Sequence, residues 1–347
     1  MPHASPLTTD GLVQILFGSS AFQMLRAGSD LGLFTLLHRR PGLTPPDIGR
    51  ELGLEDRPVQ ILLLGTTALG LTVRQGDGYE NADVLNGLFA EGAWEIIEDL
   101  VEYEERIVWP AEVDFIASLR ENTNVGLRRI KGTGEDLYHR LSADPELEQL
   151  FYRCMRSWSR LSNPVLVEKA DLTGVRRVLD VGGGDGVNAI ALAQANPGVE
   201  FIVLDLPGTV EIARKKIAEH GLSDRISVRA ADIFADTYPT GHDCVLFANQ
   251  LVIWSSPQEN IRLLGKAHAA LPDGGRVLVF NAMPDDSGDG PLYAALDNVY
   301  FATLPAASST IYRWGQYEEW FAAAGFVKPE RLPGGQWTPH GVISAVK

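Results

Sequence analysis

The chain has 347 residues, enough for about two domains at roughly 150 residues each. Acidic residues outnumber basic ones 45 to 30, for a formal net charge of −15, which argues against nucleic acid or an anionic membrane surface as partner because phosphates would be repelled. Two cysteines (Cys154, Cys244), no basic-then-apolar leader and no apolar run of the ~18 residues a bilayer requires point to a soluble, cytoplasmic protein with no disulfide framework and no metal site.

Residues 1–170 read as mainly helical. Leu12, Ile15, Leu16, Leu25, Leu31, Leu33 and Leu36 recur at helical spacing. Thr44-Pro45-Pro46-Asp47 starts a short helix with Thr44 as N-cap and proline in its first turn, and Gly53 ends it. An apolar helix over 58–69 precedes Arg74-Gln75-Gly76-Asp77-Gly78-Tyr79, a hairpin signal. This order of elements is that of a winged-helix unit. Arg50 and Arg57 stand there against Asp47, Glu51, Glu55 and Asp56, so the positive footprint that DNA demands is missing and the unit is assigned to packing or dimerisation. The acidic stretch 91–109 (Glu95, Glu98, Asp99, Glu102, Glu104, Glu105) reads as a solvated helix face. Residues 147–169 form a long helix with Phe151, Met155, Trp158 and Leu161 as a core stripe.

From Arg176 short apolar strands alternate with helices: 177–181, 200–204, 226–230, 243–248 and 276–281, with a helix over 187–195. This is the pattern of a parallel sheet covered on both faces, an α/β domain over 171–347 behind the mainly α domain 1–170.

The first of these strands runs into Gly182-Gly183-Gly184-Asp185-Gly186. The run does not fit the dinucleotide pattern G-x-G-x-x-G. It offers glycines that let a ligand approach the backbone, and an acid before them, Asp180. Asp205 ends the next strand, where a carboxylate accepts both hydroxyls of a ribose, and Asp232 follows the one after. Acids at three successive strand ends meet in the crevice of an open sheet. Without a nearby lysine they suit a cationic nucleoside better than a phosphate, which favours S-adenosylmethionine over NAD.

Val178-Leu-Asp-Val-Gly-Gly-Gly-Asp-Gly186, Leu204-Asp-Leu-Pro207, Arg225-Ile-Ser-Val, Ala231-Asp-Ile-Phe234 and Arg313…Glu319-Trp320…Ala324-Gly-Phe326 together resemble the S-adenosylmethionine-dependent small-molecule O-methyltransferases of plant caffeate type and bacterial antibiotic tailoring, over nearly the whole chain. The resemblance implies a Rossmann-like class I methyltransferase sheet, S-adenosyl-L-methionine as cofactor and a small aromatic or polyketide-like acceptor. It also implies a homodimer made through the winged-helix domain, which contributes to the acceptor pocket. Gly182 and Gly184 would let the methionine portion lie against the backbone beside Asp180. Asp205, with Leu206, would hold the ribose, Asp232 with Ile233 or Phe234 would meet the adenine, and Trp254 would stack on it. Met155, Trp158, Asn249, Tyr293, Asp297, Asn298 and Tyr300 would line the acceptor pocket.

One motif departs from the family. Its His-Asp-Trp stretch, which supplies the general base, reads Val252-Ile253-Trp254 here, and Tyr312 stands before Arg313 in place of a glutamate. General-base catalysis contributes ~10²–10⁴-fold, whereas positioning supplies ~7–11 kcal/mol, so in-line transfer to an ionised acceptor survives the loss. Candidate replacements are Asn249, Gln250, Tyr312 and His139. An inward-facing Arg153, Arg156 or Arg160 would favour an anionic acceptor, and His340 is placed in a turn. O-methylation by direct in-line transfer is the leading expectation. The alternatives are C- or N-methylation, a derived hydroxylase, decarboxylase or cyclase, and, in another class, a non-catalytic nucleoside-sensing regulator.

Overall fold

The computed structural model describes residues 7–253, 256–335, 338 and 340–347. Two compact units divide the chain, Met1–Glu102 and Tyr103–Lys347. The division falls ahead of 170/171 because the helix Pro145–Lys169 packs on the sheet unit, against the helix Val187–Ala195 and the last strand.

In the first unit, helices Gly18–Asp30, Leu33–Arg39, Pro45–Leu52 and Asp56–Ala68 precede a hairpin of β1, Thr72–Gln75, and β2, Gly78–Asn81. Its core is Leu33, Phe34, Leu37, Ile48, Val59, Leu62, Leu63, Leu85 and Trp94. Thr44 takes the N-cap position of Pro45–Leu52, but its hydroxyl donates to the Asp47 carboxylate at 2.6 Å and caps no backbone amide. Gly53 ends that helix at φ +66°, a left-handed conformation that glycine adopts without steric cost. The first helix, Thr9–Leu16, buries none of its residues.

The second unit holds a seven-stranded sheet: β3, Arg177–Val181; β4, Glu200–Asp205; β5, Ile226–Ala230; β6, Cys244–Ala248; β7, Arg276–Ala282; β8, Val327–Pro333; β9, His340–Val346. Their spatial order is β5-β4-β3-β6-β7-β9-β8, parallel except for β9, which runs antiparallel to both of its neighbours. The sheet is therefore mixed at one edge, where the sequence pattern gave no signal. His340 opens β9 opposite Ala282 and does not lie in a turn. Val178, Leu179 and Val181 are 0% exposed, as the continuous apolar run of a strand covered on both faces requires. Leu179 and Val181 join Val245, Phe247, Tyr317 and Trp320 in one buried cluster, while Val178 joins Phe201, Leu246 and Phe280 in another. The strand order reverses between β3 and β6, which places a crevice at the carboxyl end of β3.

Two readings of the helices are corrected. On Pro145–Lys169 the buried stripe is Leu150, Phe151, Cys154, Ser157, Val165 and Leu166, whereas Trp158 is 39% exposed. The acidic stretch is not a wholly solvated face. The helix Trp94–Tyr103 passes into a π-helical turn, Glu104–Val108, and then Trp109–Glu112, and Glu104 is half-buried at helical spacing from buried Ile107, Val108 and Ala111.

Candidate active site

The glycine run lies where β3 ends, at the reversal of strand order. Gly182, Gly184 and Gly186 have φ of +67°, +59° and +81°, so the chain turns three times through a region that side chains rarely enter. A side chain at Gly183 would stand 2.5 Å from the Asp180 carboxylate, whereas at Gly184 it would meet nothing within 4 Å. The Asp205 carboxylate accepts the Gly184 N–H at 2.9 Å and the Leu206 N–H at 2.7 Å, so the acid that ends β4 also shapes the loop that ends β3. Asp180 is fully buried and neither carboxylate oxygen has a hydrogen-bond partner. Burial, and then the charge of Asp205, pushes its carboxyl up to about 7. Burial also raises Asp205, against the amides of Gly184 and Leu206 that favour its charge.

Lysine is present after all. Lys216 reaches Asp185 at 2.6 Å from the helix Pro207–Glu219, and Arg156 Nε approaches the same oxygen at 3.5 Å from the long helix. Arg156 is thus engaged by the glycine loop. Asp232 lies past β5, and one of its oxygens accepts the N–H groups of Phe234 and Ala235 at 2.7 and 3.2 Å, holding that turn. Ile233 is buried, and Arg262 lies over the Phe234 ring at 5.6 Å. Leu206 is exposed. Trp254 lies outside the described residues. A cleft of about 360 Å³ near Arg177, Glu200 and Ile226 opens at the amino ends of β3–β5, away from these acids.

After β6 the chain turns through Asn249, at φ +57°, with its N–H donating to the Phe280 carbonyl at 2.8 Å. Gln250 Nε2 donates to the Gly182 carbonyl at 2.7 Å. Leu251 and Val252 are buried, so the place of the family's base is an apolar wall. Tyr312 is a core residue, edge-on to Trp320 at 4.7 Å. The His139 side chain is 76% exposed and is held by Asp136 at 2.7 Å.

A second set of groups surrounds Phe151. Tyr103 and Tyr138 lie 6.2 and 5.6 Å from its ring, and Tyr300 lies 6.1 Å from Tyr103. Tyr300 and Asp297 come from the helix Leu292–Thr303. Burial pushes Asp297 up to about 7; burial, then the charges of Glu112 and Asp297, does the same to Glu104. Tyr152, the neighbour of Phe151, is raised by burial, then by the charges of Glu148 and Asp205. Of the other expected acceptor residues, Met155 is half-buried on the long helix and Tyr293 is exposed. Asn298 spends its side-chain oxygen on Thr310 and the Ile311 N–H at 3.1 and 2.8 Å. Glu104, read as part of a solvated acidic face, and Glu112, not singled out at all, escaped sequence reasoning because a charge-rich run reads as surface.

A model of the O-methyltransferase domain matches residues 114–327. The chain is 54% identical over 346 residues to an L-tyrosine C(3)-methyltransferase of Streptomyces lavendulae, covering 99% of this chain and 94% of that one. It is 30% identical over 336 residues, 97% of this chain and 94% of the other, to a 3-hydroxy-5-methyl-1-naphthoate 3-O-methyltransferase of Streptomyces sahachiroi. The crystal structure of the S-adenosylmethionine-dependent methyltransferase SibL in its apo form superposes with a TM-score of 0.90 at 54% identity, covering 98% of this chain and 99% of that one.

Proposed function

The chain belongs to the O-methyltransferase domain family, and on that premise we propose that it methylates the ring carbon beside the hydroxyl of a tyrosine-like phenol. It is an S-adenosylmethionine-dependent methyltransferase. S-adenosylmethionine, when bound, supplies a methyl group on a positively charged sulfur that departs as a neutral thioether. The residues present fit such a donor: Asp180 buries two unpartnered carboxylate oxygens, Asp205 stands at the next strand end, and Gly184 leaves open space where a side chain would be. Asp205 would hold the ribose, the glycine loop would admit the methionine portion, and Asp232, Ile233, Phe234 and Trp254 would surround the adenine.

The observation that carries carbon over oxygen is the buried Leu251-Val252 wall. A hydroxyl attacking there must shed its proton at the reacting atom, and no described side chain of that wall takes one. A ring carbon beside a phenol hydroxyl is nucleophilic by resonance and keeps its hydrogen while the new C–C bond forms as the C–S bond breaks. The methylated ring is then a strongly acidic cation that gives up this hydrogen as a proton to water, and aromaticity returns. The identity to the tyrosine C-methyltransferase supports the same reading.

The test uses L-tyrosine deuterated at both positions beside the hydroxyl, with methyl-labelled donor. A carbon product loses one deuterium and keeps a free phenol. An O-methyl product retaining both deuteriums, or no transfer, would sink the proposal.

We also propose that domain 1–170 pairs two copies into a homodimer in the cytoplasm, with its residues 103–169 serving the acceptor pocket. Ile15, Leu16 and Phe17, at 68%, 71% and 62% exposure, form an apolar face too costly to leave in water. No helix among the described residues is long and apolar enough to cross a membrane.

A further inference from the structure

Glu104, Glu112 and Asp297 present an electrostatic imbalance. They come from the π-helical turn, the short helix after it and the helix Leu292–Thr303, which packs on that short helix and carries Asp297 one turn from Tyr300. Among the described residues, none of the three carboxylates meets a lysine, an arginine or a hydrogen-bond donor. Half-buried carboxylates without a partner are costly, and like charges near one another add to that cost. A fold retains such a group where a ligand completes it.

Two further observations indicate the charge of that ligand. Tyr103 is 3% exposed, and its hydroxyl, close to that of Tyr300, makes no hydrogen bond of sound geometry. The rings of Tyr138, Phe151, Tyr103 and Tyr300 follow one another at 5.6, 6.2 and 6.1 Å, an aromatic row of the kind that attracts a cation. Carboxylates, an idle hydroxyl and aromatic faces together suit an ammonium group, which donates three hydrogen bonds and carries the missing charge.

We infer that the pocket formed by Glu104, Glu112, Asp297 and Tyr103 receives the free ammonium group of the acceptor, so that the protein takes a phenolic amine or amino acid unmasked at nitrogen. This rests on the tyrosine-like acceptor proposed above and adds how its far end is recognised. An anionic phenylpropionate, or an acceptor whose nitrogen is acylated, leaves the acids uncompensated and is turned away.

Calorimetry in the presence of S-adenosylhomocysteine tests this without reference to the methylated atom. The probes are L-tyrosine, tyramine, N-acetyl-L-tyrosine and 3-(4-hydroxyphenyl)propionate. Hydrogen bonds to charged groups contribute ~1.5–3 kcal/mol, so both amines are expected to bind about 10–100-fold tighter than the acylated and deaminated probes. Asp297→Asn with Glu104→Gln is expected to shrink that ratio to about threefold or less, while affinity for the propionate holds or improves. Equal affinity for all four probes overturns the inference, as does no binding by either amine. A parallel loss for every probe in the variant assigns the acids a structural role and also overturns it. If the amines bind selectively but no carbon-methylated product forms, the choice of acceptor atom fails and the ammonium pocket stands. The wild-type comparison of L-tyrosine with its N-acetyl derivative decides the matter even where a variant does not fold.

Discussion

Gln250 ties the two strands at the reversal of the sheet: its Nε2 donates to the Gly182 carbonyl at 2.7 Å, and its side chain fills the space that a Cβ on Gly182 would occupy. Gln250→Leu keeps the bulk and removes the donor. A single neutral hydrogen bond is worth ~1 kcal/mol, so calorimetry with S-adenosylhomocysteine is expected to show about 3–10-fold weaker binding with an unchanged overall fold.

Gly183→Ala forces a methyl group to within 2.5 Å of the buried Asp180 carboxylate and 3.0 Å of Val203. Overpacking of a tight interior costs ~1–3 kcal/mol, and thermal denaturation is expected to register it. Pairing it with Asp180→Gly removes the obstructing carboxylate and is expected to restore much of the melting temperature. No recovery in the double variant would place the strain elsewhere.

Asp205→Ala withdraws the acceptor from both the Gly184 and the Leu206 amides. The fold is expected to lose ~1–3 kcal/mol, and S-adenosylhomocysteine to bind at least about 100-fold more weakly, since the ribose loses a charge-assisted partner at the same stroke. Unchanged affinity would remove Asp205 from the donor site.

Stability should fall as the solution becomes alkaline. The fold raises Glu104 from 4.5, and Asp180 and Asp297 from 3.8, each to about 7, so the folded protein holds these protons more tightly than the unfolded chain. That contribution is complete below about pH 4 and is lost as pH rises through 7. His340, pulled down from 6.5 to about 4 by burial, works oppositely: its contribution exists above pH 6.5 and disappears toward pH 4. Three raised carboxylates outweigh one histidine above neutrality. Glu104→Gln is therefore expected to flatten the decline between pH 6 and 8 and to gain on the order of 1–3 kcal/mol at pH 8, read from denaturant melts. A steeper slope in the variant would contradict this.

Leu16→Asp and Phe17→Asp place charge on the apolar face of the first unit. Light scattering is expected to give a dimer for the parent chain and a monomer for the double variant, and a monomeric parent would refute the pairing.

The strand-end acids and the glycine run were legible because each strand is short, apolar and ended by a chemically distinct residue. Asp180, Gly182, Gly184 and Asp205 come together for the reason the α/β pattern supplies. The mixed edge was not legible: β8 is almost wholly exposed and reads as polar sequence, so only its pairing with β9 defines it. Lys216 lies 31 residues from Asp185, beyond any local pattern. Glu104 escaped because the acidic run was read by its charge as one solvated face, although its spacing from Ile107, Val108 and Ala111 puts it on the apolar side of the helix. Trp158 was read into the core stripe by its spacing from Phe151 and Met155, yet the buried positions of that helix run through Leu150, Phe151, Cys154 and Ser157 instead.

One helix bears on both ends of the proposed reaction. Phe151 packs within the aromatic row, Tyr152 feels the charge of Asp205, and Arg156 reaches Asp185 in the glycine loop. At 1.5 Å per residue these positions span only about 7.5 Å of continuous helix. On the proposed reading the helix would work as a gauge block, setting the separation of donor and acceptor by covalent pitch and leaving little of it to loop closure. Specificity can drift by exchange of side chains on that gauge, but inserting one residue within it would turn the two sets by about 100° and disconnect them.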